Sequence, residues 1–104
     1  MDPSARLVSI YVNEADEWHR KPLHLEILRL LHAEGLAGGT VVRAVAGFTG
    51  GGGVQTTSLV DAGGKLPLIV QFVESEPNVA RVLPRLREMA RQRLITIHDV
   101  EVVP

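Results

Sequence analysis

The chain has 104 residues, of which 45% are hydrophobic and 22% are charged, and its formal net charge is −1. This composition predicts a single folded domain over residues 1–104 and, without a basic excess, argues against nucleic-acid binding. The absence of cysteine excludes a disulfide framework, a thiol nucleophile and a cysteine-ligated metal. No apolar run reaches the roughly 20 residues that span a bilayer, and no signal-peptide pattern is present, so we expect a soluble cytoplasmic protein.

The first third of the chain predicts a strand followed by a helix. Apolar and polar residues alternate over residues 6–13, with β-branched side chains on one face, which is typical of a strand. Pro22 suits the first turn of a helix, and Gly35 suits its C-terminal cap. The apolar stripe of this helix consists of Leu23, Ile27, Leu30 and Leu31.

Two further strands flank a glycine-rich segment. Residues 40–48 predict a second strand, and residues 49–53, Thr-Gly-Gly-Gly-Gly, are the low-complexity stretch of the chain. A short extended piece is expected over residues 54–61. Residues 66–74 predict a strongly apolar third strand with a proline near its start, a position where strands tolerate one.

A second helix and a last strand complete the pattern. Ser75 is the expected N-cap of the helix, and Pro84 inside it is expected to kink the chain near Ala80. The apolar stripe of this helix consists of Val79, Val82, Leu83, Leu86 and Met89 or Ala90. Residues 94–103 predict the fourth strand, in which a shift of the apolar phase predicts an irregularity around residues 98–99.

The order β-α-β-β-α-β predicts an α+β fold of the ferredoxin-like βαββαβ type. This fold is a sandwich of an antiparallel sheet with two helices on one face. When the strand directions are followed, four segments collect at one end of the sheet. These segments are residues 13–22, the glycine loop from residue 47, the turn near Lys65, and the junction 91–94.

The third strand predicts that the second face of the sheet is also covered. The strand is apolar on both sides, with Leu68, Val70 and Phe72 on one and Ile69 and Val73 on the other. A sheet with one solvated face normally alternates apolar and polar residues. Because contiguous exposed apolar surface usually marks an interface, we expect a homo-oligomer packed through the open face. The alternative is a monomer whose loop folds over the sheet.

The glycine-rich stretch of residues 47–53 is the most informative candidate site. Glycine permits close backbone approach to a ligand, and successive exposed N–H groups can form an anion-binding nest. The stretch is not a Walker A motif, since no Gly-Lys-Ser/Thr follows, and not a dinucleotide fingerprint, since no helix opens at its end. The alternative is a flexible loop that orders only with a partner or not at all.

Basic residues are the expected neighbours of this loop at the same end of the sheet. They are His19, Arg20, Lys21, Lys65, Arg91 and Arg93. Basic groups beside a helix start at Pro22 make a reasonable anion site. The alternative for this segment is a solvated loop with Trp18 packed over the helix.

Catalytic and metal-binding patterns are not found in the sequence. There is no triad pattern and no Gly-x-Ser-x-Gly elbow, and the acidic residues occupy ordinary loop and helix-start positions, so we do not expect an enzyme or a catalytic residue. The four histidines lack the spacing of a metal site on one helix face, so no metal ligand is expected. An enzyme or metal protein that uses His19 or His98 is the least favoured alternative.

Two stretches of the chain resemble a known family. The first contains Tyr11-Val12, Glu14, Asp16, Trp18-His19, Lys21-Pro22-Leu23, Gly35-Leu36-Ala37-Gly38, Thr40-Val41, Arg43 and Gly47-Phe48. The second contains Leu83-Pro84, Leu86, Glu88-Met89, Leu94-Ile95-Thr96 and Asp99-Val100-Glu101-Val102. The pattern covers nearly the whole chain and resembles the DUF190 family, which is similar to the PII-like signalling proteins.

This resemblance implies a PII-like fold, a homotrimer, and ligands bound in clefts between subunits. In PII proteins the loop after the second strand reaches partner proteins, and its base helps to bind adenine nucleotides. The resemblance therefore implies an adenine nucleotide (AMP, ADP or ATP), with no cofactor certain, and a partner-facing loop at residues 47–58. Carried over by position, the basic phosphate contacts fall on Arg91 and Arg93. The loop lacks the tyrosine-bearing signature of PII proteins, which argues against nucleotidylation.

The sequence thus predicts a regulatory protein that binds a small anionic ligand and presents its loop to a membrane or enzyme partner. The predicted ligand-binding residues are Gly47, Phe48, Thr49, Gly50, Gly51, Lys21, His19, Arg91 and Arg93. Genes of the DUF190 family can accompany fluoride-exporter genes. The alternative is therefore a ligand-independent protein-binding module that regulates a membrane transporter such as a fluoride exporter.

Overall fold

The computed structural model describes residues 4–57 and 65–104. Its elements in chain order are β1 (Ser4–Asn13), β2 (Glu17–Trp18), β3 (Lys21–Pro22), α1 (Leu23–Ala33), β4 (Thr40–Arg43), β5 (Ala46–Gly47), β6 (Gln55–Thr56), β7 (Pro67–Glu74), α2 (Glu76–Met89) and β8 (Leu94–Glu101). Four strands form the main sheet in the order β4-β7-β1-β8, and each neighbouring pair is antiparallel. The predicted ferredoxin-like α+β fold class is confirmed.

Alternation in the central strands places the core on one face of the sheet. Val8, Ile10 and Val12 of β1 are fully buried, and Ile10 pairs with the equally buried Val70 of β7. The helices cover this face with side chains at the predicted spacing: Leu23, Ile27 and Leu31 from α1, and Val79, Val82, Leu86 and Met89 from α2. Burial of this apolar surface, worth about 25 cal/mol per Å², is the main term that stabilises the fold.

The end of α1 follows the sequence expectation. Gly35 has a φ of +76°, its N–H donates to His32 O at 3.1 Å, and the N–H of Leu36 donates to Leu31 O at 3.1 Å. These two bonds form a Schellman motif, which requires a left-handed residue and so favours glycine.

The start of α2 differs from the expectation. Ser75 occupies the N-cap position, but its side chain makes no capping hydrogen bond. The carboxylate of Glu74 instead accepts hydrogen bonds from the Ser75 N–H at 2.9 Å and the Asn78 side chain at 3.2 Å. Its second oxygen accepts the N–H of Ala37 at 2.9 Å. Glu74 therefore ties the start of α2 to the segment that precedes β4.

The second strand is shorter than the predicted residues 40–48. Its pairing with β7 ends at Arg43 opposite Leu68, and the N–H of Ala44 makes a last bond to Pro67 O at 3.0 Å. Because β7 begins at Pro67, no ladder partner remains beyond this point. The chain leaves the sheet, and β5 pairs with β6 in a separate hairpin. The expected extended piece at 54–61 is present at β6, and its residues 58–61 lie outside the described residues.

The irregularity expected in the last strand is wrong. β8 pairs with β1 in unbroken register from Ser4 opposite Glu101 to Tyr11 opposite Leu94. The polar residue that broke the apolar phase, Asp99, lies opposite Arg6 and forms an ion pair with it at 2.7 Å. A cross-strand partner therefore accounts for a charge that the periodicity alone could not place.

The face of the sheet opposite the helices carries half-buried apolar side chains. They come from three adjacent strands: Leu7 and Tyr11 of β1, Ile69 and Val73 of β7, and Val100 of β8. The two-sided apolar character of the third strand is thus confirmed. The homo-oligomer inferred from it stays a prediction.

Candidate functional site

The glycine-rich stretch forms the connection of a short hairpin. Ala46 pairs with Thr56 and Gly47 with Gln55, so residues 48–54 join β5 to β6. Within this loop the Gly52 N–H donates to Thr49 O at 3.1 Å, and Gly50 has a φ of +57°. A tight turn with a left-handed residue at its second position is a glycine-requiring geometry.

A cavity of about 470 Å³ lies between this loop and the open face of the sheet. This volume is within the range of small-molecule sites, about 300–1,000 Å³. The described residues that line it are Tyr11, Ala44, Ala46, Gly47, Phe48, Thr49, Gly50, Gly51, Pro67, Ile69, Gln92, Arg93 and Leu94. The loop after the second strand, the end of β1 and the entry to β8 therefore meet at one site, as the strand directions predict.

Six of the nine predicted site residues lie on this cavity. The five loop residues line one wall, and Arg93 lines another. His19 and Lys21 do not line it: Lys21 pairs with Trp18 across the β2–β3 hairpin, and His19 stacks on the Trp18 ring at a centroid distance of 4.3 Å. Arg91 is exposed at the end of α2 and does not line the cavity either. Reasoning from strand ends locates residues at the correct end of the sheet but not on a particular surface.

Asp16 holds the side chain of Arg93 in place. From its sequence context alone, Asp16 is an acidic loop residue with no predicted role in the site. The Arg93 Nε donates to one oxygen of Asp16 at 2.9 Å, and its NH2 nitrogen donates to the other at 2.7 Å. Asp16 also accepts the N–H of Asn13 at 2.8 Å. This two-point pair fixes the guanidinium in the cavity wall, with the Arg93 side chain 39% exposed and that of Asp16 14% exposed.

Arg87 fixes the backbone of the same junction. Its NH2 nitrogen donates to Ala90 O and, at 2.7 Å, to Arg93 O. Carbonyl groups at a helix C-terminus lack partners within the helix, and a basic side chain commonly satisfies them. The turn that carries Arg93 into β8 is therefore held both by Asp16 and by Arg87.

Glu14 supports the opposite wall. Its Oε1 accepts the N–H of Leu66 at 2.9 Å and the Nε of Arg43 at 3.1 Å, which joins the loop after β1 to the end of β4 and the start of β7. The Leu66 hydrogen bond, with smaller effects from Arg43 and Lys65, holds the pKa of this carboxyl below its ordinary value despite the opposing effect of burial. Glu14 therefore stays ionised at neutral pH.

The loop offers hydrogen-bond donors and an aromatic ring to a ligand. Within the described residues, the N–H groups of Gly50 and Gly51 make no hydrogen bond. The ring of Phe48 lies on the cavity and is 64% exposed. Free amides, a fixed guanidinium and aromatic surface are together suited to a small molecule with a flat ring and an anionic group.

Sequence reasoning missed Asp16 and Glu14 as supports of the site. One available signal was the strand topology, which brings residues 13–22 and the junction 91–94 to the same end. Opposite charges in two such segments favour an ion pair. The local sequence pattern does not indicate this ion pair, because Asp16 and Arg93 are separated by 77 positions.

Metal-binding clusters and membrane-spanning helices are absent from the described part of the chain. Residues 4–57 and 65–104 contain no group of three or more histidine, aspartate or glutamate side chains placed to hold a metal ion. Across those ranges no helix has the length and apolar character needed to cross a bilayer.

Comparisons with known proteins cover nearly the full chain. The DUF190 model, described as "Uncharacterized ACR, COG1993", matches residues 5–102. A UPF0166 protein of Methanocaldococcus jannaschii is 33% identical over 99 residues, which are 94% of this chain and 91% of the relative. A UPF0166 protein of Aquifex aeolicus is 30% identical over 98 residues, 94% of this chain and 92% of the relative. The chain therefore belongs to the DUF190 family.

Proposed function

We propose that this protein is a PII-like cytoplasmic regulator rather than an enzyme. It binds a small anionic ligand, an adenine nucleotide, beneath its glycine-rich loop and presents that loop to a partner. The observation that carries the proposal is the cavity of about 470 Å³ with the loop on one side and Arg93 on the other. Membership of the DUF190 family, which resembles PII-like proteins, supports the same assignment.

The lining residues fit the two ends of a nucleotide. The base packs against apolar and aromatic surface formed by Phe48, Tyr11 and Leu94. The phosphate accepts hydrogen bonds from the N–H groups of Gly50 and Gly51, which have no partner among the described residues, and from the outer nitrogens of Arg93.

A homotrimer completes this site in the proposal. The half-buried apolar residues of the open sheet face would be covered by neighbouring subunits, which turns the cavity into a cleft between subunits. In such an assembly, His19, Lys21 and Arg91 contact the ligand only if they come from a neighbouring subunit, since they do not line the cavity of their own chain.

Ligand binding acts on the loop as a switch. The base of the loop is closed by the two-residue pairing of β5 with β6, which is separate from the main sheet, so among the described residues few interactions hold the loop in one position. Contacts from Gly50 and Gly51 to a ligand favour one loop conformation over others. The partner then distinguishes the ligand-bound from the ligand-free protein by that conformation.

Isothermal titration calorimetry with AMP, ADP, ATP and cyclic AMP tests the proposal. Saturable binding of at least one of these nucleotides at one site per subunit is the expected result. Neither heat nor a thermal shift with any of them would reject the nucleotide assignment.

A second candidate is supported by exposed apolar side chains in and beside the β5–β6 hairpin. Val45, Phe48 and Val54 are 79%, 64% and 62% exposed, a concentration of apolar surface that favours docking of a protein partner without a small ligand. Co-purification with a fluoride exporter in detergent tests it. Under this alternative, capture is lost in a Phe48→Ser/Val54→Ser variant and is unaffected by adenine nucleotides. Capture that depends on a nucleotide would favour the first proposal.

A further inference from the structure

The ion pair between Arg93 and Asp16 determines the charge that the cavity offers to a ligand. Among the described residues that line the cavity, Arg93 is the only charged one. Two of its nitrogens already bind the Asp16 carboxylate at 2.9 Å and 2.7 Å. The pair as a unit is neutral, although the remaining N–H groups of the guanidinium stay available as donors.

Two other arginines at this end of the sheet, Arg87 and Arg43, are engaged elsewhere, and Lys21, Lys65 and Arg91 do not line the cavity. Arg87 donates to the carbonyls of Ala90 and Arg93, and Arg43 bonds to Glu14 at 3.1 Å. The C-terminus of α2 also lies at this end, and the partial negative charge of a helix C-terminus disfavours anions. Among the described residues, the cavity wall thus combines apolar surface, uncharged polar groups and one guanidinium that is paired with Asp16.

We infer that this cavity selects a ligand with a flat apolar ring and at most one negative charge, and that Asp16 sets this limit. The inference rests on the proposed function, because it specifies the ligand of the same site. A single negative charge is matched by the outer N–H groups of Arg93 and the amides of Gly50 and Gly51. A polyphosphate would bring several charges into the cavity without opposite charges to compensate for their desolvation.

Calorimetry with adenine compounds of rising charge tests this selectivity on the full chain. The series is adenosine, cyclic AMP, AMP, ADP and ATP, measured without divalent cations at constant ionic strength. Cyclic AMP, which carries one negative charge, is expected to bind about tenfold more tightly than ATP, a ratio well resolved by the method. Adenosine is expected to bind more weakly than cyclic AMP, because it lacks the group that meets Arg93.

The role of Asp16 is tested with a charge-matched pair of variants. Asp16→Asn keeps the side-chain shape but releases the charge of Arg93, so the affinity for ATP relative to cyclic AMP is expected to rise about tenfold. Glu34→Gln is the control: it removes the same charge from an exposed ion pair with Arg81, 3.2 Å long, at the far end of α1. This control is expected to leave the ratio unchanged. Circular dichroism of both variants checks that the fold is retained.

Each outcome separates the inference from the proposed function. Tightest binding by ATP to the native protein would overturn the inference alone, since cations outside this wall would then supply the charge. If Asp16→Asn leaves the affinity for ATP relative to cyclic AMP unchanged, the role of Asp16 is overturned. If Asp16→Asn does not fold, the native series still decides the charge limit. Absence of binding by all five compounds would overturn both the proposed function and the inference.

Discussion

Arg93 and Asp16 are 77 positions apart in the chain, yet they are joined by two hydrogen bonds of 2.9 Å and 2.7 Å. The pair connects the loop after β1 to the entry of β8, and it sets the position of the one charged group that the described residues place on the cavity. A long basic side chain would otherwise sample many rotamers, so the pair preorganises the site.

Arg93→Gln is expected to weaken binding of AMP by about tenfold or more. The reason is the loss of a charge-assisted hydrogen bond, worth roughly 1.5–3 kcal/mol. Calorimetry measures the change, and Arg91→Gln is the matched control, because Arg91 is exposed and does not line the cavity. An equal loss in both variants would show that nonspecific attraction, or Arg91 of a neighbouring subunit, contributes as much as Arg93.

Gly50→Ala is expected to weaken AMP binding by about fivefold, because a left-handed φ costs an L-residue roughly 1 kcal/mol. Gly50 has a φ of +57°, and a methyl group at this position would meet open space, so the expected effect is conformational and not steric. Gly53→Ala, also in open space but without a positive φ, is the control and is expected to bind normally. Equal affinities for the two variants would mean that the turn geometry does not matter for binding.

Glu74→Gln is expected to lower the free energy of unfolding by about 2–3 kcal/mol. Glu74 is only 5% exposed and accepts three hydrogen bonds. The side-chain amide of glutamine would place its NH2 group against one of these three donors, and that hydrogen bond would be lost. Urea denaturation measures the loss. Glu76→Gln is the control, because it removes the same charge at an exposed position in the first turn of α2. It should lower the free energy of unfolding by about a few tenths of a kcal/mol at most.

Stability is expected to fall as the pH drops below about 4.5. Burial raises the pKa of Glu74, but hydrogen bonds from Ala37, Ser75 and Asn78 and the charge of Arg81 outweigh it, so the pKa lies below the ordinary value of 4.5. The pKa of Glu14 is also lowered, chiefly by Leu66. As the pH falls, both carboxyl groups take up protons in the unfolded chain before they do so in the folded chain. They therefore stabilise the fold above pH 4.5, and this stabilisation is lost as the pH falls through their pKa values in the folded state. Denaturation midpoints across an acid pH series should show a shallower fall for Glu74→Gln.

Val73→Asp is expected to convert the proposed homotrimer into monomers. Val73 is half-buried on the open sheet face and does not line the cavity of its own chain, so a charge there opposes subunit packing without changing a cavity-lining residue. Light scattering after size-exclusion chromatography measures the mass. Leu25→Asp, at an exposed position on α1, is the control and should stay trimeric. A native protein that elutes as a monomer would contradict the trimer directly.

The fold could be predicted from the sequence because its periodicities are local. Two-residue alternation located β1 and β7, helical stripes located both helices, and Gly35 marked the end of α1 through a left-handed turn. The strand directions then brought the glycine loop and Arg93 to one end of the sheet. Chain order alone therefore brings the loop and Arg93 to this end, together with His19, Lys21 and Arg91, and does not show which of these residues line the cavity.

The remaining features depend on contacts between distant segments. The second strand stops at Arg43 because β7 begins at Pro67, and the charge of Asp99 is matched by Arg6 on the neighbouring strand. Neither partner is indicated by the residues adjacent in sequence. His19 and Lys21 were assigned to the site by their position at the sheet end, but the hairpin that holds them stands beside α1 and not on the cavity.

Chemical-shift mapping by NMR of ¹⁵N-labelled protein titrated with AMP tests most directly whether the cavity is the ligand site. The expected result is saturable shifts concentrated at the amides of Gly47, Gly50, Gly51 and Arg93, with those of Gly35 and Glu76 unmoved. Saturable shifts that instead map to a second pocket, which lies between α2 and β8 and is lined by Leu83, Pro84 and Ile97, would contradict this assignment, and so would the absence of any shift.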